Sequence, residues 1–495
     1  MAVTGVAAAG YTPAPMKQAL QNNYLDFANG ANDWAQQYLP DLMEKEAEVF
    51  GNRTIGGFLS QVGAEESMSS DQVIWSEQGR LHLSYKVVVG ADNSGALRLT
   101  FDGSSTDVDG NAVGSAGADH GIRTGDMLLV SDADSTIQVF VNSISSNNLV
   151  IETERYDGNA SGVAGLSGTL TVLVYGSEYV KGAVGRTGAN VPQFKSRTNK
   201  PIILKDKYEI SGSDASAIGW VEVSGEEGQN GYLWYLKASG DTKARFSDYM
   251  EMAMMESVKA TTAANTVSTI TGAAGQIGGT EGLWQALATR GNISNALDGT
   301  ATLAEFDLII DELDANGAIE ENMMFLDRKT SLNIDDMLAG LNGAAQGIGS
   351  GAGSTSMVAG ASYGVFNNES DMALNLGFTG FRRGSYDFYK SDFKYLNDKS
   401  TRGLINATDS TNAIHGVMIP AGVSSVYDQS LGKNLKRPFL HVRYRASQLE
   451  SRKYKTWTTG SVGATTSDLD AMEMHFLSER CLVVQGANNF VLLKG

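Results

Sequence analysis

Hydrophobic positions along this chain change period several times, and each change marks a different kind of element. Over residues 16–50, Leu20, Tyr24 and Phe27, then Trp34, Tyr38 and Leu42, recur at spacings of three and four, which is one face of a helix. Gly30 interrupts the run and Pro40 limits its second part. From Gln72 to about Ile210 the pattern turns to strands. Val73-Ile-Trp75 and the run from Leu81 to Val89 are strand-like. Between Val89 and Lys181, short β runs lie at Leu97–Phe101, Met127–Val130, Ile137–Ile144, Leu149–Thr153 and Leu170–Tyr175, separated by Gly, Asp, Asn and Ser. Ile137, Val139 and Val141 alternate with Gln138 and Asn142, and Ser146-Asn-Asn148 supplies a turn. The spacing predicts a small antiparallel barrel or sandwich.

A helical stripe returns over residues 228–260, where Phe246, Met250, Ala253, Met254 and Val258 share a face. Glu226 and Glu227 at its start and Lys259 at its end match the helix dipole. About 33 helical residues would span about 50 Å. Ser239-Gly240 predicts a bend or break. Met250, Met252, Met254 and Met255 read as packing filler. Leu303–Leu313 is an amphipathic helix, Asn322–Leu326 a buried strand, and Ser331 caps another helix with Asp335 near its first turn. Residues 340–364 hold 8 Gly among Ala and Ser, a loop by composition. The chain closes with further strands at Gly416–Pro420, Arg437–Arg445 and Phe490–Leu493.

A length of 495 residues implies roughly three domains of about 100–200 residues each. With 42% hydrophobic residues the chain can build real cores. The 57 Gly against 7 Pro suit many turns and no rigid Pro-rich linker. The net charge of −18 makes a general nucleic-acid binder or a protein of anionic membrane surfaces a poor fit. Cys481, the single cysteine, excludes an intrachain disulfide and reads as a buried strand thiol. No stretch of about 20 apolar residues spans a bilayer. The apolar start Met1–Gly10 lacks a basic region and is broken by Gly, unlike a signal peptide.

Several short motifs miss the chemistry they suggest. Gly360-Ala-Ser362-Tyr-Gly364 has the spacing of a nucleophile elbow, with Asp371 and His415 downstream, but lacks the strand before and helix after that strain the serine. Asp107-Val-Asp109-Gly-Asn111 starts like a calcium loop, yet Ala112 stands where Gly is needed and Ala118 where Glu is needed. Gly347-Ile-Gly-Ser-Gly351 and Gly432-Lys433 lack the setting of nucleotide loops. The five histidines (His82, His120, His415, His441, His475) stand apart, without metal-ligand spacing. No enzyme activity, cofactor or metal is expected.

Two basic segments stand out against the acidic whole. Val191–Ile210 carries Lys195, Arg197, Lys200, Lys205 and Lys207 against Asp206 and Glu209, and is a candidate for docking on an acidic neighbour. Lys433–Lys455 has eight Lys or Arg and one acid, Glu450. There Arg437, Arg443, Arg445, Arg452 and Lys453 alternate with Phe439, Val442, Tyr444 and Tyr454, so the strip is a contact with another subunit, a patch toward DNA, or a solvated face.

The closing strands, the block Phe325-Leu-Asp-Arg-Lys329, the segment Lys195-Ser-Arg-Thr-Asn-Lys-Pro201 and the long helix at 228–260 occur in an order that resembles the major capsid protein of tailed double-stranded DNA bacteriophages, closest to the crAss-like phages. The resemblance implies an α+β chain with the Hong Kong 97-type capsid fold. In those terms residues 1–60 form a largely helical N-terminal arm, 61–89 and 182–225 the extended loop, and 90–181 an all-β domain inserted in it. Residues 226–264 and 431–495 form the peripheral domain with its spine helix, and 265–430 the axial domain. The arm would lie against neighbouring subunits; a small hairpin on its own core is the other reading of the same residues. A family member that removes an N-terminal scaffolding segment would start later than Met1, so such processing is not expected.

The implied function is self-assembly into hexamers and pentamers of an icosahedral shell around double-stranded DNA, held without sequence specificity. Its partners would be its own copies, a portal and auxiliary or decoration proteins, with no membrane. Its place would be the virion capsid, assembled in the host cytoplasm. In that setting the acidic balance would keep DNA from sticking to the wall; plain solubility explains it equally. The alternative is another phage structural part, a tail or fibre component, suggested by the Gly-rich β region alone.

Overall fold

A computed structural model of the chain describes residues 64–79, 82–91, 97–108, 110–113, 120–157, 165–186, 194–216, 222–224, 230–259, 279–295, 303–344, 379–408, 411–421, 423–428, 433–462 and 465–495, with Leu59 and Val163. The helices expected over 16–50, the Gly-rich segment from 345 onward, and Ser362 with Asp371 lie outside these residues.

Strands β1 (Ala64–Met68) and β2 (Val73–Gln78) lead into seven more: β3 (Ser84–Ala91), β4 (Leu97–Thr100), β5 (Thr106–Asp107), β6 (Asp126–Ser131), β7 (Thr136–Ile144), β8 (Val150–Arg155) and β9 (Thr169–Ser177). Their pairings are all antiparallel and run in a ring, β3–β4–β8–β7–β6–β9 and back to β3, with β5 added on β3. The ring leaves no free edge among the six, the closure that makes a barrel. Alternate positions point inward, among them Val87, Leu99, Leu128, Val130, Val139, Val141, Ile151, Leu170 and Val172. Asn148 takes a φ of 54° in the turn between β7 and β8, a conformation asparagine tolerates. The barrel starts at Ser84, inside the stretch expected to be extended loop, because Val87 faces its interior and pairs with Leu170. After β9 the chain stays on the barrel to Arg186, which pairs with the buried Asp126 at 2.9 Å.

β10 (Phe194–Asn199) then returns antiparallel to β2, so the ribbon's outgoing and returning strands enclose the whole barrel. β11 (Ile202–Ser211) follows, then α1 (Gly212–Ser216), the hairpin β12 (Glu222–Ser224) and β13 (Asn230–Tyr232), and α2 (Leu233–Glu256). α2 is the expected long helix, but it has 24 residues and is about 36 Å long. Its start is displaced because β13 occupies positions 230–232. Ser239-Gly240 does not break it; Gly240 sits within the helix with open space where a Cβ would go. Val258 lies beyond its end and is exposed.

The remainder comprises α3 (Leu283–Arg290), β14 (Asn292–Ser294), α4 (Leu303–Ala315), β15 (Glu321–Leu326), α5 (Arg328–Ala344), β16 (Thr379–Arg383), β17 (Tyr386–Asp392), α6 (Lys394–Asn397), α7 (Arg402–Thr408), β18 (Ile414–Pro420), the hairpin β19 (Val423–Asp428) and β20 (Lys433–Pro438), β21 (Leu440–Arg445), β22 (Lys455–Gly460), β23 (Ala471–Val484) and β24 (Val491–Lys494). One sheet runs β1–β21–β23–β11 with β22 also on β23; another runs β14–β24–β18–β15–β17–β16. α2 packs Phe246 and Met250 on the first, against Phe476. α4 and α5 cover the second through Phe306, Ile309 and Ile334. A shared core joins the sheets, with Met254, Leu283, Leu287, Phe325, Val417, Leu440, Leu482 and Leu492 all buried.

Two assignments shift. β1, expected in the extended loop, pairs parallel with β21 and is part of the first sheet. β24, expected with the peripheral strands, belongs to the second sheet beside β18. The chain crosses between sheets at Gly486, whose φ of 58° and the close approach of the Asn489 side-chain amide favour glycine. The start of α5 also differs from expectation. Asp327, not Ser331, caps it, accepting the Thr330 N–H at 2.7 Å.

Candidate assembly surface

The basic strip begins where β21 meets β1. In a parallel pair, register partners project to the same side, and Glu66 is the register partner of Arg443. Their side chains form an ion pair at 2.7 Å. Lys453 pairs with Glu65, and Arg445 with Asp71. Glu479 on β23, its side chain only 6% exposed, accepts Arg452 at 2.6 Å and Arg445 at 3.2 Å. The hydrogen bond from Arg445 to Asp71, then that to Glu479, pushes the Arg445 guanidinium further up from its already high value. Lys455 bonds Glu450 at 2.7 Å and holds that carboxyl below its usual range. The structure thus brings Arg443, Arg445, Arg452 and Lys453 together, and it pairs them with carboxylates of the same chain. Arg437 pairs through its backbone with Ser424 in the β19–β20 hairpin, and its side chain lies outside the described residues.

The other basic group is spread along the ribbon and β11. Arg197 reaches Glu77 across the ribbon at 3.4 Å. Lys195 is the register partner of Glu77 and is exposed, as are Lys200 and Lys205. Lys207 bonds Glu209 at 2.7 Å and Glu473 at 3.0 Å. β23 separates β11 from β21, so the two basic groups lie on opposite sides of that strand.

Polar centres that the sequence pattern did not single out lie at the ends of α2 and β10. Glu256, at the last position of α2, accepts both contacts of Arg402 Nη1 (2.7 and 2.6 Å), the Tyr395 hydroxyl at 2.6 Å and the Trp284 indole N–H at 3.2 Å. Burial first, and then this carboxylate, pushes the Tyr395 hydroxyl pKa up. A carboxylate at a helix C-terminus opposes the dipole, and Arg402 offsets that. The Tyr395 and Arg402 partners stand 139 and 146 residues away along the chain, so no local spacing could reveal them. Asn199, at the end of β10, is fully buried.

The remaining motifs resolve as follows. Asn111 folds back on Asp107 through its N–H at 2.8 Å and its side-chain amide at 2.9 Å, closing a turn. His415, the described member of the Ser362 set, lies 3.1 Å from Asp327 at the start of α5. Cys481 is buried with its sulfur 4.0 Å from that of Met68, and burial pushes its thiol pKa up to about 12. Among the described residues, no group of three or more His, Cys, Asp or Glu is placed to hold a metal ion. Among them too, no helix is long and apolar enough to cross a membrane.

No family model and no curated protein matches the chain. Solved structures similar to it include a chain of Microbacterium phage Oxtober96, with 9% identity over 93% of this chain and 97% of that one at a TM-score of 0.37. A chain from the capsid of the Cyanophage P-SCSP1u has 9% identity, 94% and 95% coverage and a TM-score of 0.37. One from the capsid of a native GTA particle has 11% identity, 94% and 99% coverage and a TM-score of 0.36.

Proposed function

We propose that this chain is a major capsid protein of a tailed double-stranded DNA phage, close to the crAss-like group, and that it builds hexamers and pentamers of an icosahedral shell. The observation that carries the reading is the order of parts in one chain. A ribbon, β2 with β10, leaves one sheet holding an entire barrel between its strands, and α2 then packs along that same sheet. A second sheet with its own two helices follows. Arm, extended loop with insertion, peripheral part and axial part is the order that the sequence resemblance implies.

On this reading the protein is structural and non-enzymatic. One surface repeated head to tail closes a ring, and ribbons reaching between rings add many modest contacts. Lys195, Lys200 and Lys205, exposed along the ribbon and β11, are candidates for contact with a neighbouring copy, as are Arg437, Arg443, Arg445, Arg452 and Lys453 of the β21 strip. Portal and decoration proteins would bind the finished shell. DNA would be enclosed without sequence-specific contact, in keeping with a net charge of −18. Sedimentation of the purified protein over a concentration series tests the reading. Rings of five or six copies, or larger closed bodies, support it; a monomer at every concentration sinks it.

A further inference from the structure

Asn199 sits at the point where the barrel-bearing ribbon joins the body, between the end of β10 and the start of β11. Its side chain is fully buried, and every hydrogen-bonding position on it is used. The amide nitrogen donates to the Leu482 carbonyl on β23 at 2.6 Å and to the Glu281 carbonyl at 3.1 Å. The amide oxygen accepts the Glu281 N–H and the Lys200 N–H, both at 2.8 Å, and the Thr280 hydroxyl at 3.1 Å. One side chain therefore ties the returning strand to the middle strand of the first sheet and to the segment that leads into α3.

Neighbouring contacts brace the same joint. Lys259, just past α2, donates to the carbonyl and hydroxyl oxygens of Thr198. Arg290 of α3 pairs with Glu281 at 2.9 Å and lies over the Trp75 ring of β2, 5.8 Å from its centroid. Glu77 of β2 accepts the Gly486 N–H at 3.2 Å. Hydrophobic packing alone would leave a two-stranded ribbon free to swing about its base, because apolar contact has no directional preference. A saturated buried amide does have one, since any other angle leaves buried carbonyls unpaired.

We infer that Asn199 is a positioning residue: it locks the angle at which the β2–β10 ribbon leaves the sheet and so fixes where the barrel is held relative to the body. Within a shell, that angle would decide where the barrel meets its surroundings, a consequence that rests on the capsid reading. The lock itself is a property of the single chain and is tested there.

Ser104→Cys on the barrel and Thr456→Cys on β22, both at exposed positions, take spin labels, while the buried Cys481 stays unlabelled. Electron–electron distance measurements on the full chain should give one narrow distance. In Asn199→Ala that single distance should be lost to a broad distribution, with the barrel and body still melting cooperatively. Asn199→Asp, which keeps the acceptor bonds and loses both donated ones, is the variant to use if the alanine protein does not fold, and it should broaden too. An unchanged narrow distance in a folded variant overturns the lock, whether or not the protein forms shells.

Discussion

His120 lies inside the barrel, its ring stacked 4.4 Å from Phe101 and its Nε2 donating to the Asn148 carbonyl at 2.6 Å. Burial holds its pKa below the usual 6.5, with the Asn148 bond opposing part of that. Above 6.5 the ring is neutral in folded and unfolded chains alike. Below it the unfolded chain takes up the proton first, so stability falls as pH drops from 6.5 toward the folded value. Amide exchange of the barrel strands, measured on both sides of that pH, should quicken on the acid side, and His120→Gln should remove much of the difference. Asp327 behaves in the opposite sense to its burial. Burial alone would raise its pKa, but hydrogen bonds from His415 and Thr330 outweigh this and hold it below the ordinary carboxyl value. Its stabilisation is present above the unfolded pKa and is lost as pH falls through the folded one. Asp327→Ala should cost about 0.5–2 kcal/mol at neutral pH as a lost helix cap. The gap to the parent in thermal melts should narrow in acid.

At the scale of elements, α2 offers a paired comparison. Met254 is buried in the core joining the sheets, and Met254→Ala should cost about 2–5 kcal/mol in denaturant unfolding. Tyr249 is exposed on the same helix, and Tyr249→Ala should stay within about 0.5 kcal/mol. The stripe Phe246, Met250, Met254 was legible because its period is that of a helix with one buried side. The helix start was not. Glu226 and Glu227 look like first-turn acids, but the β12–β13 hairpin takes up the positions just before Leu233. Strand alternation likewise revealed the β runs of the barrel, but not its first member. A run such as Leu81–Val89 reads the same whether it continues a ribbon or closes a ring, and only the Val87–Leu170 pairing decides. A deletion confined to residues 90–180 would cut through β3. The unit to excise is 82–186, which keeps the Arg186–Asp126 pair. That fragment should fold alone with a single cooperative transition, and a fragment without dispersed amide resonances would show that the barrel depends on the body.

At the scale of the molecule, the charge pattern of the β21 strip was visible in the sequence, but its partners were not. Glu65 and Glu66 come from β1, Asp71 from the turn after it, 374 residues before Arg445, and Glu479 from β23, so only the fold brings them together. This changes what a charge reversal should do. Arg443→Glu with Arg445→Glu would set new carboxylates against Glu66, Asp71 and the buried Glu479, so the isolated subunit itself should melt at lower temperature, in addition to any effect on assembly. An unchanged melting curve would contradict the pairing. The succession of strand-rich and helical stretches after residue 64 was legible, because the hydrophobic period changes from two to between three and four where one gives way to the other. The ties between parts, such as Glu256 with Arg402, join residues too distant in sequence to leave a local mark. Electron microscopy of the purified, concentrated protein tests the central claim most directly. Closed shells, or the rings of five and six from which they are built, are the expected result; rods, fibres or isolated compact particles under every assembly condition would contradict it.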